Sequence, residues 1–327
     1  CHAGCVRNIL GRKSVKVLMT AALVWGSLAA GTAHAQFTPE PDSQPEHAIG
    51  ASVLPSARAI ATTPGVSVRY SAAVSDVATS GSAPQNCTVT LPGMPGSFQF
   101  QTTDSNGNPT GVANTAFSVP AGGSQSLQLT YYPVSSTLSG QVLAFDFDCS
   151  NRAPAAVIHG VSVAYLTTSP STSPTPDLIA SLTAANPSAA GGLKLDANTG
   201  DGFMSTAVQN IGAAGTITIE AMSPEAFLQL TSASQNEIDA ASDLNGASFS
   251  VCRYYYGNCV YVPQMTVDTA TFVNNWAIFD VRVYGAQAPL VHAPGYNRAY
   301  LVFRESGTGR LLGAASLPVC SGTLPRC

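Results

Sequence analysis

The chain has 327 residues and a formal net charge of −4, and only 10% of its residues are charged. A typical globular protein carries about 25% charged residues, so uncharged polar side chains must supply most of the solvation here. With 14 lysine and arginine residues against 18 acidic ones, the chain gives no electrostatic reason to bind nucleic acid or anionic lipid.

The N-terminal region has the pattern of a secretory signal peptide. An apolar run over residues 17–35 ends in the small-x-small sequence Ala33-His34-Ala35, and four basic residues precede it: Arg7, Arg12, Lys13 and Lys16. This arrangement predicts a signal peptide over 1–35 and a secreted mature chain, located in the periplasm, at the cell surface or outside the cell. No second apolar run of membrane-spanning length follows, so we expect no transmembrane segment in the mature chain.

Two proline-rich polar stretches divide the mature chain. Residues 36–49 predict a disordered leader. Residues 169–176 place prolines among serine and threonine, which predicts a short semi-rigid linker between two domains, one over 50–168 and the other over 177–319. The alternative is a solvated loop inside one large domain.

Apolar side chains alternate with small or polar ones over much of 50–168, which predicts half-buried antiparallel strands. The clearest alternating residues are Val66, Val68, Tyr70, Ala72 and Val74, then Leu127, Leu129 and Tyr131, then Leu143, Phe145 and Phe147. The same alternation places Asp146 and Asp148 on the outward side of their strand. No helix is predicted before residue 220.

The chain contains eight cysteines, two of which precede the apolar run of the signal. The other six allow several pairings, and their spacing favours three disulfides: Cys87–Cys149, Cys252–Cys259 and Cys320–Cys327. The last of these closes a C-terminal loop over 320–327. Because Cys87 and Cys149 share the parity of inward residues, we expect their bridge to join two packed sheets and to contribute about 4 kcal/mol.

The second half repeats the alternating pattern, with clear strands over 216–220, 249–252, 260–262, 277–283 and 299–303. Residues 224–241 hold a candidate short helix, although 228–231 equally suits a strand. A weak internal repeat predicts a duplication. Its matching segments are Ser71–Val74 with Ser205–Val208, Cys87–Thr90 with Ile217–Ile219, and Leu143–Phe147 with Ala299–Phe303.

The segment from Cys252 to Cys259 is the candidate ligand-binding site. A disulfide there would clip a hairpin whose tip carries Arg253, Tyr254, Tyr255 and Tyr256, and Trp276 precedes the next strand. Tyrosine and arginine are enriched at binding hot spots, and aromatic faces also suit sugar rings. The alternative is that these tyrosines only cover a sheet while the disulfide stabilises its edge.

A family resemblance rests on residues 119–133, where a Gly-Gly-Ser turn leads into an alternating strand that ends in Tyr131-Tyr132-Pro133. With Ser162–Tyr165 and Pro176–Ala180, this segment resembles exported bacterial proteins that carry tandem Ig-like domains and have no characterised function. The resemblance covers about residues 50–319. It implies an all-β chain of two tandem antiparallel Ig-like β-sandwich domains after a signal peptide, and it assigns no functional residue.

Catalytic and metal-binding motifs are absent from the sequence. There is no Gly-x-Ser-x-Gly elbow, phosphate loop, dinucleotide fingerprint or Cys-x-x-Cys, and His159 and His292 suit ordinary surface or turn positions. We therefore expect no catalytic residue, no metal and no cofactor. Two loops are weaker calcium candidates because oxygen ligands alternate along them: 104–108 and 196–201. The same residues are also ordinary turn formers.

These observations predict an exported, non-catalytic binding or surface-associated protein whose ligand is an unknown protein or glycan. The alternative is a structural spacer or a component of an extracellular assembly. An enzyme of unknown type is a third and weaker hypothesis.

Overall fold

The structure is a computed structural model that describes residues 49–63, 65–77, 82–135, 137–188, 191–254, 259–286, 290, 293–321 and 327. The predicted signal peptide over 1–35 and the leader up to residue 48 lie outside the described residues. Within the ranges described, no helix is both long and apolar enough to cross a membrane. The described chain is mostly antiparallel β-sheet, which confirms the prediction that strands dominate the fold.

The first half, defined here as residues 49–170, is built from short strands. They are β1 (Ile49–Leu54), β2 (Ala57–Thr62), β3 (Val68–Asp76), β4 (Thr88–Thr90), β5 (Gly96–Thr103), β6 (Pro109–Thr110), β7 (Ser124–Pro133), β8 (Gln141–Ala144), β9 (Asp146–Asp148) and β10 (Val163–Pro170). One sheet has the order β1-β3-β7-β5-β6 and another the order β2-β10-β8, while β4 pairs with β9. Ile49, placed in the predicted leader, begins β1.

In the described residues of the second half, 177–321, two short α-helices and a 3-10 turn over Thr269–Thr271 accompany the strands. The strands are β11 (Leu178–Ala184), β12 (Leu193–Leu195), β13 (Gly202–Asn210), β14 (Thr216–Met222), β15 (Ser248–Arg253), β16 (Gln264–Asp268), β17 (Trp276–Tyr284), β18 (Arg298–Glu305) and β19 (Leu311–Ser321), and the helices are α1 (Pro224–Leu230) and α2 (Gln235–Ala240). The sheets have the orders β11-β13-β17-β15 and β12-β19-β18-β14-β16.

The two halves share one scheme of strand connection. In each, the first strand pairs antiparallel with the third, while the second strand pairs in parallel with the last. The internal repeat in the sequence falls on equivalent strands of this scheme: β3 with β13, β4 with β14, and the region of β8 and β9 with β18. The parallel pairs, β2 with β10 and β12 with β19, depart from the all-antiparallel pairing predicted from alternation, because alternation does not encode strand direction.

Each half encloses its own apolar core between its sheets. In the first half, Tyr70, Leu129 and Phe147 are among the buried side chains. In the second half, Phe279 and Phe303 are fully buried. The alternating residues of the sequence therefore supply the inward side chains, as period-two strands with one buried face require.

The six described cysteines lie in pairs at disulfide distance, in the arrangement that their spacing favours. The Cα atoms are 4.0 Å apart for Cys87–Cys149, and they are 5.5 and 5.8 Å apart for the two short loops. Both Cys87 and Cys149 are buried in the first-half core. The expectation that they join two packed sheets is wrong. They extend the pairing of β4 with β9 by one position, opposite each other within one sheet, and parity gives only the face of a residue, not its partner strand.

A third apolar cluster lies where the two halves meet. Phe227 of α1 packs edge-on against Tyr165 of β10, with ring centroids 5.2 Å apart, and stacks on Tyr300 of β18 at 4.2 Å. Gly160 has a φ of +68° and approaches the Tyr300 ring so closely that a Cβ would lie 2.7 Å from its edge. Tyr300 also donates a hydrogen bond to the carbonyl of His159.

Polar contacts cross the same boundary. Arg58 of β2 donates to both carboxylate oxygens of Asp177, at 2.7–3.1 Å, and the backbone amide of Ala59 donates to Asp177 Oδ1 at 3.0 Å. The sequence predicts a linker over 169–176, and the structure divides this segment into three parts. Residues 169 and 170 belong to β10, residues 171–174 are exposed, and residues 175 and 176 are buried. The halves are therefore in direct contact on both sides of a short exposed loop.

Both helices begin at a serine that caps them. Ser223 accepts a hydrogen bond from the amide of Ala226, with Pro224 at the first helical position. Ser234 and Glu237 form a reciprocal capping box. The candidate helix over 224–241 is thus realised as two short helices, and residues 228–230, for which a strand was the alternative, belong to α1.

Candidate ligand-binding face

The clipped hairpin is described only in part, because Tyr255 and Tyr256 lie outside the described residues. Tyr254 continues the pairing of β15 with β17, donating its amide to the carbonyl of Ile278 at 3.0 Å, and its side chain is 51% exposed. Past the hairpin, Val262 exchanges two backbone hydrogen bonds with Val251 and so covers the edge of β15.

Arg253 does not share a surface with Tyr254. Its guanidinium donates to the hydroxyl and the carbonyl of Thr271, at 2.6 and 2.7 Å, and lies 5.4 Å from the ring centroid of Phe272. Adjacent residues of a strand point to opposite faces, which separates the two side chains that the sequence placed at one hairpin tip. Arg253 therefore anchors the edge of the sheet and leaves Tyr254 on the outer face.

The outer face of the sheet β11-β13-β17-β15 carries exposed aromatic and aliphatic side chains that the core does not use. We call this surface the aromatic face; it comprises Phe203, Ser205, Ala207, Tyr254, Tyr261, Trp276, Ile278, Asp280, Arg282 and Tyr284. Phe203 is 42% exposed and Ile278 is 48% exposed. Strand register places Phe203 beside Arg282, Ser205 beside Asp280 and Ala207 beside Ile278.

Arg282 is held between two aromatic rings at one end of the aromatic face. Its guanidinium carbon lies 5.6 Å from the centroid of Phe203 and 5.2 Å from that of Tyr284, and it forms an ion pair with Asp201 at 2.7 Å. Cation–π contact and an ion pair together hold a long side chain in one conformation. The flat guanidinium thus extends the ring surface while its charge is balanced.

Asp280 lies near the middle of the face among polar groups. The hydroxyl of Ser205 donates to Asp280 Oδ1, and Cys259 Sγ lies 4.0 Å from Oδ2. The ring of Tyr261 lies 6.4 Å from that of Phe203, and burial, with the negative charge of Asp280, raises the pKa of the Tyr261 hydroxyl. Tyr261 therefore remains a neutral donor at neutral pH.

The sulfurs of Cys252 and Cys259 and a carboxylate oxygen of Asp280 lie within 4.8 Å of one another. Metal ions bind thiolates, and sulfurs paired in a disulfide carry no thiolate. The group therefore acts as a covalent clip with an acid beside it in the oxidised protein.

The loops with calcium-like spacing use their aspartates to close turns. Asp104 accepts from the amides of Asn106 and Asn108 and from the side chain of Asn108. Asp196 accepts from the amides of Asn198 and Thr199. Hydrogen bonds from Asn108 and Thr199, respectively, are the main causes that lower the pKa of these two carboxyl groups. The turn-forming alternative accounts for both loops.

His159 belongs to a relay of hydrogen bonds at the boundary between the halves. One ring nitrogen contacts the hydroxyl of Tyr165, and the other lies 3.0 Å from Glu237. The order of nucleophile, base and acid resembles a catalytic triad, yet Tyr165 has 0% exposed surface, so no substrate reaches its hydroxyl.

Asp146 and Asp148 lie exposed opposite Thr90 and Thr88, and His292 lies outside the described residues.

Sequence reasoning missed Phe203, Tyr261 and Arg282. The signal for two of them was present, because Phe203 shares the outward parity of Ser205 and Arg282 shares that of Trp276. Tyr261 follows Cys259, and the cysteine spacing does not show where the chain runs after that residue. Strand parity extended from β13 to β17 therefore identifies the face better than the cluster of tyrosines alone.

No protein-family model matches this chain, and no curated protein matches it. Among solved structures, it is similar to a protein of unknown function from the bacterium Porphyromonas gingivalis W83, with 11% sequence identity and a TM-score of 0.25. The match covers 84% of this chain and 99% of the other one.

Proposed function

We propose that this chain is an exported, non-catalytic binding protein made of two consecutive Ig-like β-sandwich domains, with the aromatic face of the second as its ligand-binding surface. The shared strand order of the halves supports the Ig-like assignment, because Ig sandwiches pack a sheet of strands A, B, E and D against one that contains G, F and C. The signal-like segment before residue 36 and the cysteine pairs support export, because disulfides persist in oxidising compartments.

One observation carries the binding role: exposed aromatic side chains and a ring-stacked arginine cluster on an outer face that contributes nothing to the core. Outward residues of a sheet are free to be polar, and clustered exposed apolar groups mark interaction sites. Tyrosine, tryptophan and arginine provide large contact area for little lost rotamer freedom. The non-catalytic role rests on the inaccessible hydroxyl of Tyr165 and on the turn-closing aspartates.

The test removes two rings from the face and leaves the core intact. The double variant Phe203→Ala, Tyr254→Ala is immobilised and exposed to solubilised cell-envelope material from the source cells. We expect it to lose the material captured by the wild-type chain, with an unchanged thermal midpoint. Tyr296→Ala is the matched control, because Tyr296 is 49% exposed but lies outside the face. Equal capture by the double variant and the wild type would contradict the role.

A structural spacer is the second candidate, and the contact between the halves favours it. The bidentate Arg58–Asp177 pair and the Phe227 cluster would hold two sandwiches at one angle. A spacer requires this joint and not the aromatic face. Asp177→Ala would then impair envelope assembly in source cells, while Phe203→Ala with Tyr254→Ala would leave it intact.

A further inference from the structure

We propose that the ligand of the aromatic face is a neutral oligosaccharide chain that lies along β17. This inference rests on the binding role proposed above and adds the chemical class of the ligand.

The aromatic face is polar at its centre and aromatic towards its ends. Phe203 and Tyr284 flank Arg282 at one end, and Trp276 and Tyr254 lie towards the other. Between them lie Ser205 with Asp280 and, one step towards Trp276, the aliphatic pair Ala207 and Ile278. On the neighbouring edge strand β11, Ser181 and Thr183 add exposed hydroxyls in register with Ala207 and Ser205. Protein interfaces have the opposite plan, with an apolar centre and a polar rim.

A sugar chain fits this plan because each ring has C–H faces that stack on aromatic rings and hydroxyls around its edge. The carboxylate of Asp280 accepts hydrogen bonds, the hydroxyls of Ser181 and Thr183 donate and accept, and Tyr261 donates. The aromatic rings at the two ends of the face would then stack on the terminal sugar rings of the oligosaccharide. The polar residues at the centre would form hydrogen bonds with the hydroxyls of the sugars in between.

The charge of the face favours a neutral chain over an acidic one. Arg282 is paired with Asp201, and Asp280 adds a negative charge that only hydroxyl and sulfur groups approach in the contacts described. A polyanion such as an acidic polysaccharide needs unpaired cations for its affinity. The described part of the face presents none.

The length of the face favours an oligosaccharide over a single sugar. Trp276 and Tyr284 are the first and last residues of β17, which at about 3.3 Å per residue places them roughly 26 Å apart. That distance is several times the size of one sugar ring, so only a chain contacts both ends at once.

The experiment uses tryptophan fluorescence, because the sequence contains two tryptophans, Trp25 and Trp276. Trp25 lies in the predicted signal peptide, so in the mature chain that begins after residue 35 Trp276 is the sole tryptophan, and it lies on the face. The probes are cellohexaose, xylohexaose, mannohexaose and chitohexaose, with oligogalacturonate as the acidic comparison. We expect a saturable change with at least one neutral probe and none with oligogalacturonate, with the same affinity measured by calorimetry.

Face variants then locate the binding. Phe203→Ala and Tyr254→Ala should each weaken the affinity about tenfold, the loss of one ring contact, and Tyr296→Ala should leave it unchanged. The glycan assignment is overturned if no neutral probe binds, if oligogalacturonate binds more tightly, or if the face variants bind as well as the parent.

The two proposals fail in different ways. If no probe binds while envelope capture still depends on Phe203 and Tyr254, the face binds a different ligand and only the neutral-oligosaccharide assignment is lost. If capture is also insensitive to those substitutions, the binding role itself is wrong.

Discussion

The outer faces of β7 in the first half and β17 in the second occupy equivalent places, and their side chains differ sharply. Aligning Ser71–Val74 of β3 with Ser205–Val208 of β13 and reading across each register gives the matching positions. They are Ser124 with Trp276, Ser126 with Ile278, Gln128 with Asp280, and Thr130 with Arg282, while on the neighbouring strand Arg69 matches Phe203. The same alignment matches Tyr132 with Tyr284, so one ring is common to both faces, while the other positions of β7 carry serine, glutamine and a buried threonine.

The difference teaches that the fold constrains the inward residues and leaves the outward ones free. Leu127 and Phe279 occupy equivalent inward positions and are both buried. The face of β7 has polar residues at four of its five outward positions, whereas β17 has Trp276 and Ile278 where β7 has Ser124 and Ser126. A specialised surface on one of two halves that share a scheme of strand connection is the physical basis of the proposed binding role.

The largest expected effect comes from the inward side of this comparison. Phe279→Ala should lower the free energy of unfolding by about 3–5 kcal/mol, and Leu127→Ala by about 2–5 kcal/mol, because each leaves a cavity in a packed core. Urea denaturation followed by far-UV circular dichroism measures both. A loss below about 1 kcal/mol at either position would mean that the two inward faces are not equivalent.

The joint between the halves should come next. Asp177 is 4% exposed and satisfies the Arg58 guanidinium, so Asp177→Ala leaves a largely buried cation without its partner and should cost about 3 kcal/mol. Glu305→Ala is the control, because its pair with Arg310 lies closer to solvent and should cost less than about 1 kcal/mol. Equal losses would show that the joint is no more than a surface contact.

A smaller effect is expected from pH at the same joint. Hydrogen bonds from Ser234, and then from His159, lower the pKa of Glu237 to about 2, from an ordinary value of 4.5. A lowered carboxyl pKa adds stability above the unfolded value, and this is lost as pH falls through the folded one. The wild type should therefore lose more stability between pH 5 and pH 2 than Glu237→Gln, measured by urea unfolding. Parallel curves would contradict this.

The smallest effect on stability belongs to the outward face. Ile278→Ser installs the residue found at the equivalent Ser126 and should change the free energy of unfolding by less than about 1 kcal/mol, because Ile278 is half exposed. Binding to the preferred hexasaccharide should nevertheless weaken. Ser126→Ile in the first half is the reciprocal control and should leave binding unchanged. A large loss of stability from Ile278→Ser would make the face part of the core.

Sequence pattern predicts most of the inward residues, because burial on one side of a strand imposes a period of two. It places Cys87 and Cys149 in the core and Asp146 and Asp148 outside. It does not tell which strands are neighbours, and for that reason it assigns the Cys87 bridge to two sheets.

The candidate site was predicted only in part for the same reason. Residue type alone pointed to Tyr254 and Trp276. It also grouped Arg253 with them, although the alternation of side chains along β15 places Arg253 on the opposite face of the sheet from Tyr254. Tyr261 reaches the face through the return of the chain along β15, a long-range path that local spacing does not encode.

The carboxylate of Asp177 immediately precedes β11, an edge strand of the sheet that carries the aromatic face, and its partner Arg58 lies shortly after β1 begins the described chain. A ligand bound at the proposed site on β17 would therefore keep a fixed orientation relative to the first half. A force on that ligand would reach the first half through the connecting chain and the contacts at the boundary, among them the Arg58–Asp177 pair and the stacked rings of Phe227 and Tyr300.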